Sequence, residues 1–215
     1  MGRGRLIAFE GLDNSGKTTQ VEKLGKRLNG KIEKFPNRAS KIGQIINDHL
    51  TKRKVIQSLK TEHLLMAANR AERETEIIQN LKDGFDVLAD RFYASGVAYT
   101  SAKEIDGTLF QTNDELYNWA KLADQHIIEP DITFYFTSEI DFEQTDDHMN
   151  REIYENDAFQ KKVKGQFERI KNEKQNWVEI KVDMYRNKIQ ELNDVLFKII
   201  KEQGEMEGAI RFNSF

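Results

Sequence analysis

The chain has 215 residues, 32% of them charged, no cysteine and a net charge of −3. These values exclude a disulfide framework and a thiolate zinc site, and the near-neutral charge argues against nucleic acid as the main partner. The length predicts a single domain over residues 1–215, and because neither a signal core nor a long apolar run occurs, we expect no membrane partner and a reducing compartment, most simply the cytoplasm, with presence in the nucleus also open.

Strands and helices alternate along the chain. The first apolar strand, Leu6–Phe9, precedes a glycine-rich turn and a helix that begins at about Lys17. The other predicted elements are strands at 31–35, 86–89, 132–136 and 177–182, and helices at 40–51, 59–82, 113–123, 155–171 and 188–201. This alternation predicts an α/β fold with three layers, in which a parallel sheet of about five strands is flanked by helices.

Residues 11–18 form a complete phosphate-binding loop, Gly-Leu-Asp-Asn-Ser-Gly-Lys-Thr, between the first strand and the first helix. Gly11 and Gly16 let the backbone curl so that successive amide N–H groups face one anion. Lys17 reaches the β- and γ-phosphates, and the Thr18 hydroxyl can bind Mg²⁺. The predicted ATP-binding residues are Gly11, Asp13, Asn14, Ser15, Gly16, Lys17, Thr18 and Thr19.

Three arginines near this loop indicate a second phosphate. Arg38 follows the second strand, Arg91 follows the third, and Arg70 lies on the long helix. Guanidinium groups bind phosphate in a bidentate way, and ligands of such sheets bind at the carboxyl ends of the strands, although any one of these arginines can also be a surface ion pair. Asp90 ends an apolar strand, where P-loop enzymes hold a carboxylate for Mg²⁺; a helix N-cap is the alternative.

The long helix places Met66, Asn69, Arg70 and Arg73 on one face, at i, i+3, i+4 and i+7. That face can line a base pocket, although a methionine at this spacing is more often part of the core. By its position after the last strand, the loop at 183–186 is the predicted adenine site. The four histidines match no metal-binding motif, and the guanine-reading motif Asn-Lys-x-Asp is absent, which argues against a regulatory GTPase.

Several segments of the chain resemble the thymidylate kinase family, in its eukaryotic and poxviral branch. The resemblance rests on Phe9-Glu10-Gly11, Phe35-Pro36-Asn37-Arg38, Ala68-Asn69-Arg70, the Asp90–Tyr99 block, Trp119-Ala120-Lys121, Pro130-Asp131 and Glu152-Ile153-Tyr154-Glu155. It implies a P-loop kinase fold, a homodimer, a lid at about 139–153, and transfer of the ATP γ-phosphoryl group to dTMP with Mg²⁺ as cofactor. The product would be dTDP, a precursor of dTTP.

The resemblance also implies roles for individual residues. Asp13 would accept a hydrogen bond from the deoxyribose 3′-hydroxyl, and Arg38 and Arg91 would hold the dTMP phosphate. Arg70 would read thymine O4, and Tyr99 would crowd the 2′ position of the sugar and so disfavour ribonucleotides. The other implied acceptor-site residues, in the base and sugar pocket and at the end of the lid, are Phe35, Met66, Ser95, Gly96, Gln125, Glu152 and Tyr154.

Five positions depart from the family pattern. Phenylalanine, tryptophan, tyrosine and glycine are usual where this chain has Met66, Ala71, Phe92 and His126, and the phenylalanine at the first of these positions usually stacks on thymine. Asn14 occupies a loop position that in this branch is commonly basic and supplies charge to the transition state. Because phosphoryl transfer depends on neutralising that charge, we expect Arg151, beside the lid motif, to supply it; a solvated surface residue is the alternative.

The predicted catalytic residues are Lys17, Asp90, Arg91 and Arg151, with Mg²⁺ held by Thr18 and, through water, by Asp90. Two other functions stay open at this point. One is another nucleoside monophosphate kinase or a deoxynucleoside kinase, and the pair of arginines for an acceptor phosphate disfavours the latter. The other is a catalytically weakened nucleotide-binding protein, which the departures at Asn14, Met66 and Ala71 keep open.

Overall fold

In a computed structural model of the chain, the residues described are 2–105, 107–139, 153–154, 156–204 and 208–214. Most of the predicted lid, with Arg151 and Glu152, lies outside these residues. In the described part of the chain, no helix has the length and apolar character needed to cross a membrane.

The described residues form five strands and seven α-helices. In chain order they are β1 Leu6–Gly11, α1 Lys17–Leu28, β2 Lys31–Lys34, α2 Lys41–Leu50, α3 Leu59–Lys82, β3 Val87–Asp90, α4 Tyr93–Ser101, α5 Asn113–Ala123, β4 Ile132–Thr137, α6 Asp157–Asn172, β5 Trp177–Lys181 and α7 Ile189–Glu202. A short 3-10 turn, Val182–Tyr185, follows β5. The predicted α/β fold with a five-stranded sheet is confirmed.

The five strands are all parallel and follow the order β2-β3-β1-β4-β5. The three central strands are buried along their whole length, as expected of parallel strands covered by helices on both faces. Chain connections from β1 lead to both sides of the sheet, so a crevice opens at its carboxyl end. Phe9 of β1 is in register with Asp90 of β3, which brings the phosphate loop beside the end of β3.

Side chains that alternate along β1 divide the core into two layers. Leu6 and Ala8 belong to the cluster under α3, α4, α5 and α6, whereas Ile7 and Phe9 belong to the cluster under α1 and α7. The apolar stripe of α7 packs on the second cluster through Leu192, Leu196 and Ile200. Each such side chain contributes about 1.5–3 kcal/mol through burial, which holds the sheet rigid below the site.

Helix α4 is an element that the apolar spacing did not predict. Its sequence is apolar or small all round, and Tyr93, Val97 and Ala98 are buried with most of their neighbours. A helix covered on every side lacks the one-sided stripe that marks a surface helix. The omission matters, because α4 begins two residues after Arg91 and carries several of the predicted site residues.

Candidate active site

The loop between β1 and α1 has the backbone of a phosphate cradle. Gly11 has a φ of 135°, and a Cβ there would lie 2.4 Å from the Phe136 carbonyl oxygen, so this position requires glycine. Gly16, with a φ of 84°, precedes the first residue of α1. Asn14 adopts a φ of 59°, a left-handed conformation that asparagine tolerates better than most residues. The N–H groups at the start of α1 are therefore available to an anion.

Lys17 is the buried cation of this loop. Its side chain folds back, and Nζ donates to the Leu12 carbonyl and, at 3.0 Å, to the Ser15 hydroxyl. Burial and, to a smaller extent, the nearby Arg91 charge lower the pKa of Lys17 to about 7, against the opposing effect of Asp13. The carbonyl and hydroxyl oxygens that accept from this ammonium are uncharged, so it forms a direct ion pair only when a phosphate binds.

Binding of ATP is therefore expected to draw a proton onto Lys17 above pH 7. Below that pH the Lys17 amine is already protonated. Above it, the phosphate anions raise the pKa of Lys17 toward its usual value, so that about one proton is taken up at pH 8. Calorimetric titration with ATP and Mg²⁺ in buffers of different ionisation enthalpy measures this uptake. A Lys17→Met variant provides the baseline, and equal uptake by both proteins would contradict the assignment.

Two oxygen donors meet at the end of β3. The Thr18 hydroxyl donates to the Asp90 carboxylate at 2.6 Å, and Asp90 is only 3% exposed. Hydroxyl and carboxylate oxygens are ligands that Mg²⁺ prefers, and this ion usually completes its coordination shell with water and substrate phosphates. In the described ranges no group of three or more histidine, aspartate or glutamate residues forms a protein-only metal cage. The pair thus fits an ion that arrives with a nucleotide.

Arg91 lies at the centre of the site in a strained backbone conformation. Its φ of 65° is uncommon for a residue other than glycine and costs about 1 kcal/mol or more. This conformation turns the guanidinium toward the phosphate loop, where Nη1 donates to the Gly11 carbonyl at 2.8 Å and to the Ser95 hydroxyl at 3.2 Å. Nη2 donates to Asp13, so that the arginine and the loop carboxylate form an ion pair.

Asp13 collects three donors from three parts of the chain. Besides Arg91, it accepts from the Tyr99 hydroxyl at 2.8 Å and from the Gln160 amide at 2.9 Å. Burial raises the pKa of Asp13, but the charges of Arg91 and Lys17 outweigh that effect and hold the pKa below its ordinary value. The carboxylate is ionised at neutral pH and can accept a hydrogen bond from a ligand hydroxyl. Gln160, on α6, was not predicted.

A cavity of about 540 Å³, called the larger cavity, opens above these groups. Arg70 also lines it, and its guanidinium donates to Asp124 from Nε at 2.8 Å and from Nη2 at 2.6 Å. A Cβ on Gly96 would lie 2.6 Å from Arg70 Nη2, so glycine permits this close packing. Met66 and Phe35 line the same space. The cavity therefore joins a cationic phosphate region to a partly apolar region with a fixed arginine.

The turn that carries Arg38 is held by α3. Asn69 is fully buried; its side-chain oxygen accepts from the Asn37 backbone N–H at 2.6 Å and its amide donates to the Asn37 carbonyl at 3.1 Å. Arg38 lines the larger cavity and donates to Asn47 at 2.9 Å. These contacts place a second arginine, besides Arg91, in the wall of the larger cavity.

Most predicted site residues in the described ranges come together around the larger cavity. Those that line it are Asp13, Asn14, Ser15, Gly16, Lys17, Thr18, Thr19, Phe35, Arg38, Met66, Arg70, Asp90, Arg91, Ser95, Gly96, Tyr99 and Tyr154. Gly11 ends β1 below the loop, and Gln125 is exposed beside Asp124, so neither lines it. Arg151 and Glu152 lie outside the described residues.

Two buried carboxylates were not predicted from the sequence: Glu62, which lines the larger cavity, and Asp124, which pairs with the lining residue Arg70. Glu62 accepts hydrogen bonds from Tyr154 and Lys103, and Asp124 binds Arg70. A sequence signal existed for Glu62, which lies four residues before Met66 and thus on the same helical face. Asp124 follows the end of α5 and carried no such signal.

A second cavity of about 340 Å³, the smaller cavity, lies on the other side of the phosphate loop. It shares Asn14, Ser15, Gly16 and Thr19 with the larger one, and its opposite wall is formed by residues 182–187, which include the loop predicted for adenine. The Ser138 hydroxyl donates to Asp183 at 2.6 Å and so ties this loop to the end of β4. Two ligands can thus approach the phosphate loop from opposite sides.

Comparison with known proteins decides the family of the chain. Residues 9–193 match the family model described as thymidylate kinase. The chain belongs to the thymidylate kinase family. Similar curated proteins include the thymidylate kinases of Plasmodium falciparum, 37% identical over 95% of this chain and 94% of that protein, and of Homo sapiens, 33% identical over 81% of each.

Solved structures agree. Thymidylate kinase from Candida albicans is 32% identical, with a TM-score of 0.86 over 100% of both chains. Thymidylate kinase from Ehrlichia chaffeensis shares the fold, with a TM-score of 0.62 at 24% identity. The resemblance noted in the sequence is confirmed, and with it the assignment of the chain to a family of phosphotransferases.

Proposed function

We propose that the chain phosphorylates dTMP to dTDP with ATP as donor, holding dTMP in the larger cavity and ATP in the smaller one. The observation that carries the proposal is the junction of the two cavities at one phosphate loop, where Lys17 and Arg91 lie. Family membership supports the reaction, and the arrangement of the two cavities supports this placement of dTMP and ATP. The residue roles below are part of the same proposal.

Direct transfer suits this geometry. An oxygen of the dTMP phosphate attacks the γ-phosphorus of ATP, the bond to the β–γ bridging oxygen breaks, and ADP leaves with that electron pair. Such a transfer needs little covalent assistance, so positioning and charge neutralisation supply most of the rate enhancement. Arg38 and Arg91 orient the acceptor phosphate, and Lys17 and Arg91 offset the charge that develops between the nucleotides.

The deoxynucleoside is recognised through fixed polar groups. Asp13, held ionised by Arg91, accepts the 3′-hydroxyl, while the Tyr99 ring closes the space beside the sugar. Arg70, locked by Asp124, presents its guanidinium edge to the base, and Met66 packs against the base as a polarizable apolar contact. Side chains locked by ion pairs lose little conformational entropy on binding, which favours affinity.

Magnesium enters with the donor. The Thr18 hydroxyl and, through water, the Asp90 carboxylate would hold it, since their oxygens already lie 2.6 Å apart at the start of α1. When bound, Mg²⁺ neutralises charge on the β- and γ-phosphates.

The decisive experiment is a coupled assay of ADP release with ATP and Mg²⁺. We expect rapid turnover with dTMP, slower turnover with dUMP, and negligible turnover with UMP, thymidine or no acceptor, because the site binds an acceptor phosphate and excludes a 2′-hydroxyl. Turnover of thymidine above that of dTMP would favour a nucleoside kinase. No ADP release with any acceptor would show a nucleotide-binding protein without kinase activity.

Arg151 is proposed to supply the charge that Asn14 lacks. Asn14 lines both cavities as a neutral residue, so a cation in addition to Lys17 and Arg91 has to come from elsewhere if the charge that is usual at position 14 is to be replaced. Arg151→Ala is expected to lower kcat at least tenfold, about 1.4 kcal/mol of barrier. Adding Asn14→Arg to that variant is expected to restore part of the loss.

A surface arginine provides the control for this test. Arg53, whose side chain is 72% exposed beside Asp48, is replaced by alanine and assayed in parallel; kcat should not change. A loss below about threefold for Arg151→Ala would refute the role of Arg151.

We also propose that the chain is a homodimer, as the family resemblance implies. Light scattering after size-exclusion chromatography should then give about twice the chain mass of 25.1 kDa. A mass of one chain at micromolar concentration would contradict this.

A further inference from the structure

The C-terminal segment 208–214, called the tail, folds back onto the loop that follows α5, and Asn213 is its buried contact. Asn213 is 1% exposed. Its backbone N–H donates to the Ile127 carbonyl at 2.7 Å, and its carbonyl accepts from the His126 N–H at 2.9 Å. Its side-chain amide donates to the Asp124 carbonyl at 3.2 Å and accepts from Lys174 at 2.7 Å. Every polar atom of Asn213 therefore has a partner.

The loop that the tail holds in this way includes Asp124, the ion-pair partner of Arg70. Asp124 binds Arg70 through two hydrogen bonds, and the exposed fractions of the two side chains are 1% and 4%. A bidentate pair of this kind has a narrow geometry, so the position of Asp124 sets the direction in which Arg70 faces the larger cavity. A displacement of the loop backbone would move the arginine with it.

Backbone contacts with the tail help to fix the conformation of the loop that follows α5. His126 has a φ of 67°, a left-handed conformation that costs a residue other than glycine about 1 kcal/mol. Besides the bonds of Asn213, the tail supplies the Arg211 carbonyl, which accepts from the Glu129 N–H at 2.8 Å, and a β-bridge between Ile128 and Phe212. Tertiary contacts of this kind are what keep a strained backbone in place.

We propose that Asn213 is a positioning residue of the acceptor site, which acts through Asp124 to fix Arg70 and so sets the affinity for the acceptor nucleotide. Asn213 lies outside the segment 9–193 that matches the family model. This positioning role rests on the proposed function, in which Arg70 contacts the base of the acceptor.

The test is the split between the two KM values in Asn213→Ala. Loss of one buried hydrogen bond next to Asp124 is expected to raise the KM for dTMP about three- to tenfold, with the KM for ATP unchanged within about twofold. Ser214→Ala, an exposed neighbour in the same tail, is the matched control and should change neither value. An equal rise in both KM values, or no rise for dTMP, would overturn the proposal.

Asn213→Asp keeps the size of the side chain and removes its donor to the Asp124 carbonyl, so it provides the same test if the alanine variant does not fold. It is expected to raise the KM for dTMP in the same range, about three- to tenfold. A normal KM for dTMP in a folded Asn213→Asp variant would also overturn the proposal.

A double-mutant cycle with Arg70→Lys separates this proposal from the proposed function. If Asn213 acts through Arg70, adding Asn213→Ala to Arg70→Lys should change the KM for dTMP by less than about twofold. Fully additive effects would show that Asn213 acts by another route. An unchanged KM for dTMP in Arg70→Lys alone would instead contradict the role assigned to Arg70 in the proposed function.

Discussion

Replacement of Lys17 by methionine is expected to lower kcat about a thousandfold, or ~4 kcal/mol of transition-state stabilisation, while the fold persists. The ammonium is the buried cation of the phosphate loop, and methionine has a similar length without the charge. Burial holds the pKa of Lys17 down to about 7, so removal of this desolvated charge relieves a cost in the free protein. The coupled assay measures kcat, and thermal unfolding measures stability.

The control for this prediction is Lys23→Met, on the exposed face of the same helix. It should retain full activity. If Lys17→Met lost less than about tenfold in kcat, the loop lysine would not be the main charge on the transferring group. A melting temperature well below that of the control would instead indicate that Lys17 supports the fold.

Replacement of Arg91 by lysine is expected to lower kcat/KM for dTMP by about 10²- to 10³-fold. Lysine keeps the charge that pairs with Asp13, but it cannot donate in parallel to the Gly11 carbonyl, to Ser95 and to an acceptor phosphate. Positioning of the acceptor phosphate is lost, whereas binding of ATP in the smaller cavity is not. Steady-state kinetics with each nucleotide varied in turn separate the two effects.

Arg27→Lys serves as the matched control, because Arg27 lies on the exposed face of α1, where it pairs with Asp194 of α7. We expect its kcat/KM for dTMP to equal that of the unchanged protein. A loss below about threefold for Arg91→Lys would show that charge alone, without the guanidinium geometry, suffices at this position.

Apolar spacing predicted the helices at 59–82 and 113–123 with the bounds that the structure has; both begin after a clear N-cap residue, and Gly84 follows the end of the first. Ser58 caps α3 by accepting from the Thr61 N–H, and Thr112 caps α5 in the same way. The remaining predicted elements agree within about two residues at either end, as helix and strand ends commonly do. Helix α4 was missed because it is buried on all sides and so has no one-sided apolar stripe.

The residues of the candidate site that belong to a local sequence motif, or that follow a predicted strand, could be predicted from the sequence. The phosphate loop lies within eight consecutive residues, and Arg38 and Asp90 follow strands whose ends meet in any parallel sheet. Arg70 was expected to read a base, but its buried partner Asp124, 54 residues away, had no sequence signal. Gln160 likewise lies 147 residues from Asp13.

By itself, the sequence determined the alternation of strands and helices, the triphosphate loop and the family, since each depends on residues that are neighbours or follow a fixed period. Only the tertiary structure decided which groups hold the site in place. Gln160 donates to Asp13, Asp124 accepts from Arg70, and Asn213 donates to the Asp124 carbonyl. Those contacts join residues far apart in the chain, and they form only after the order of the strands and the packing of the helices have brought them together.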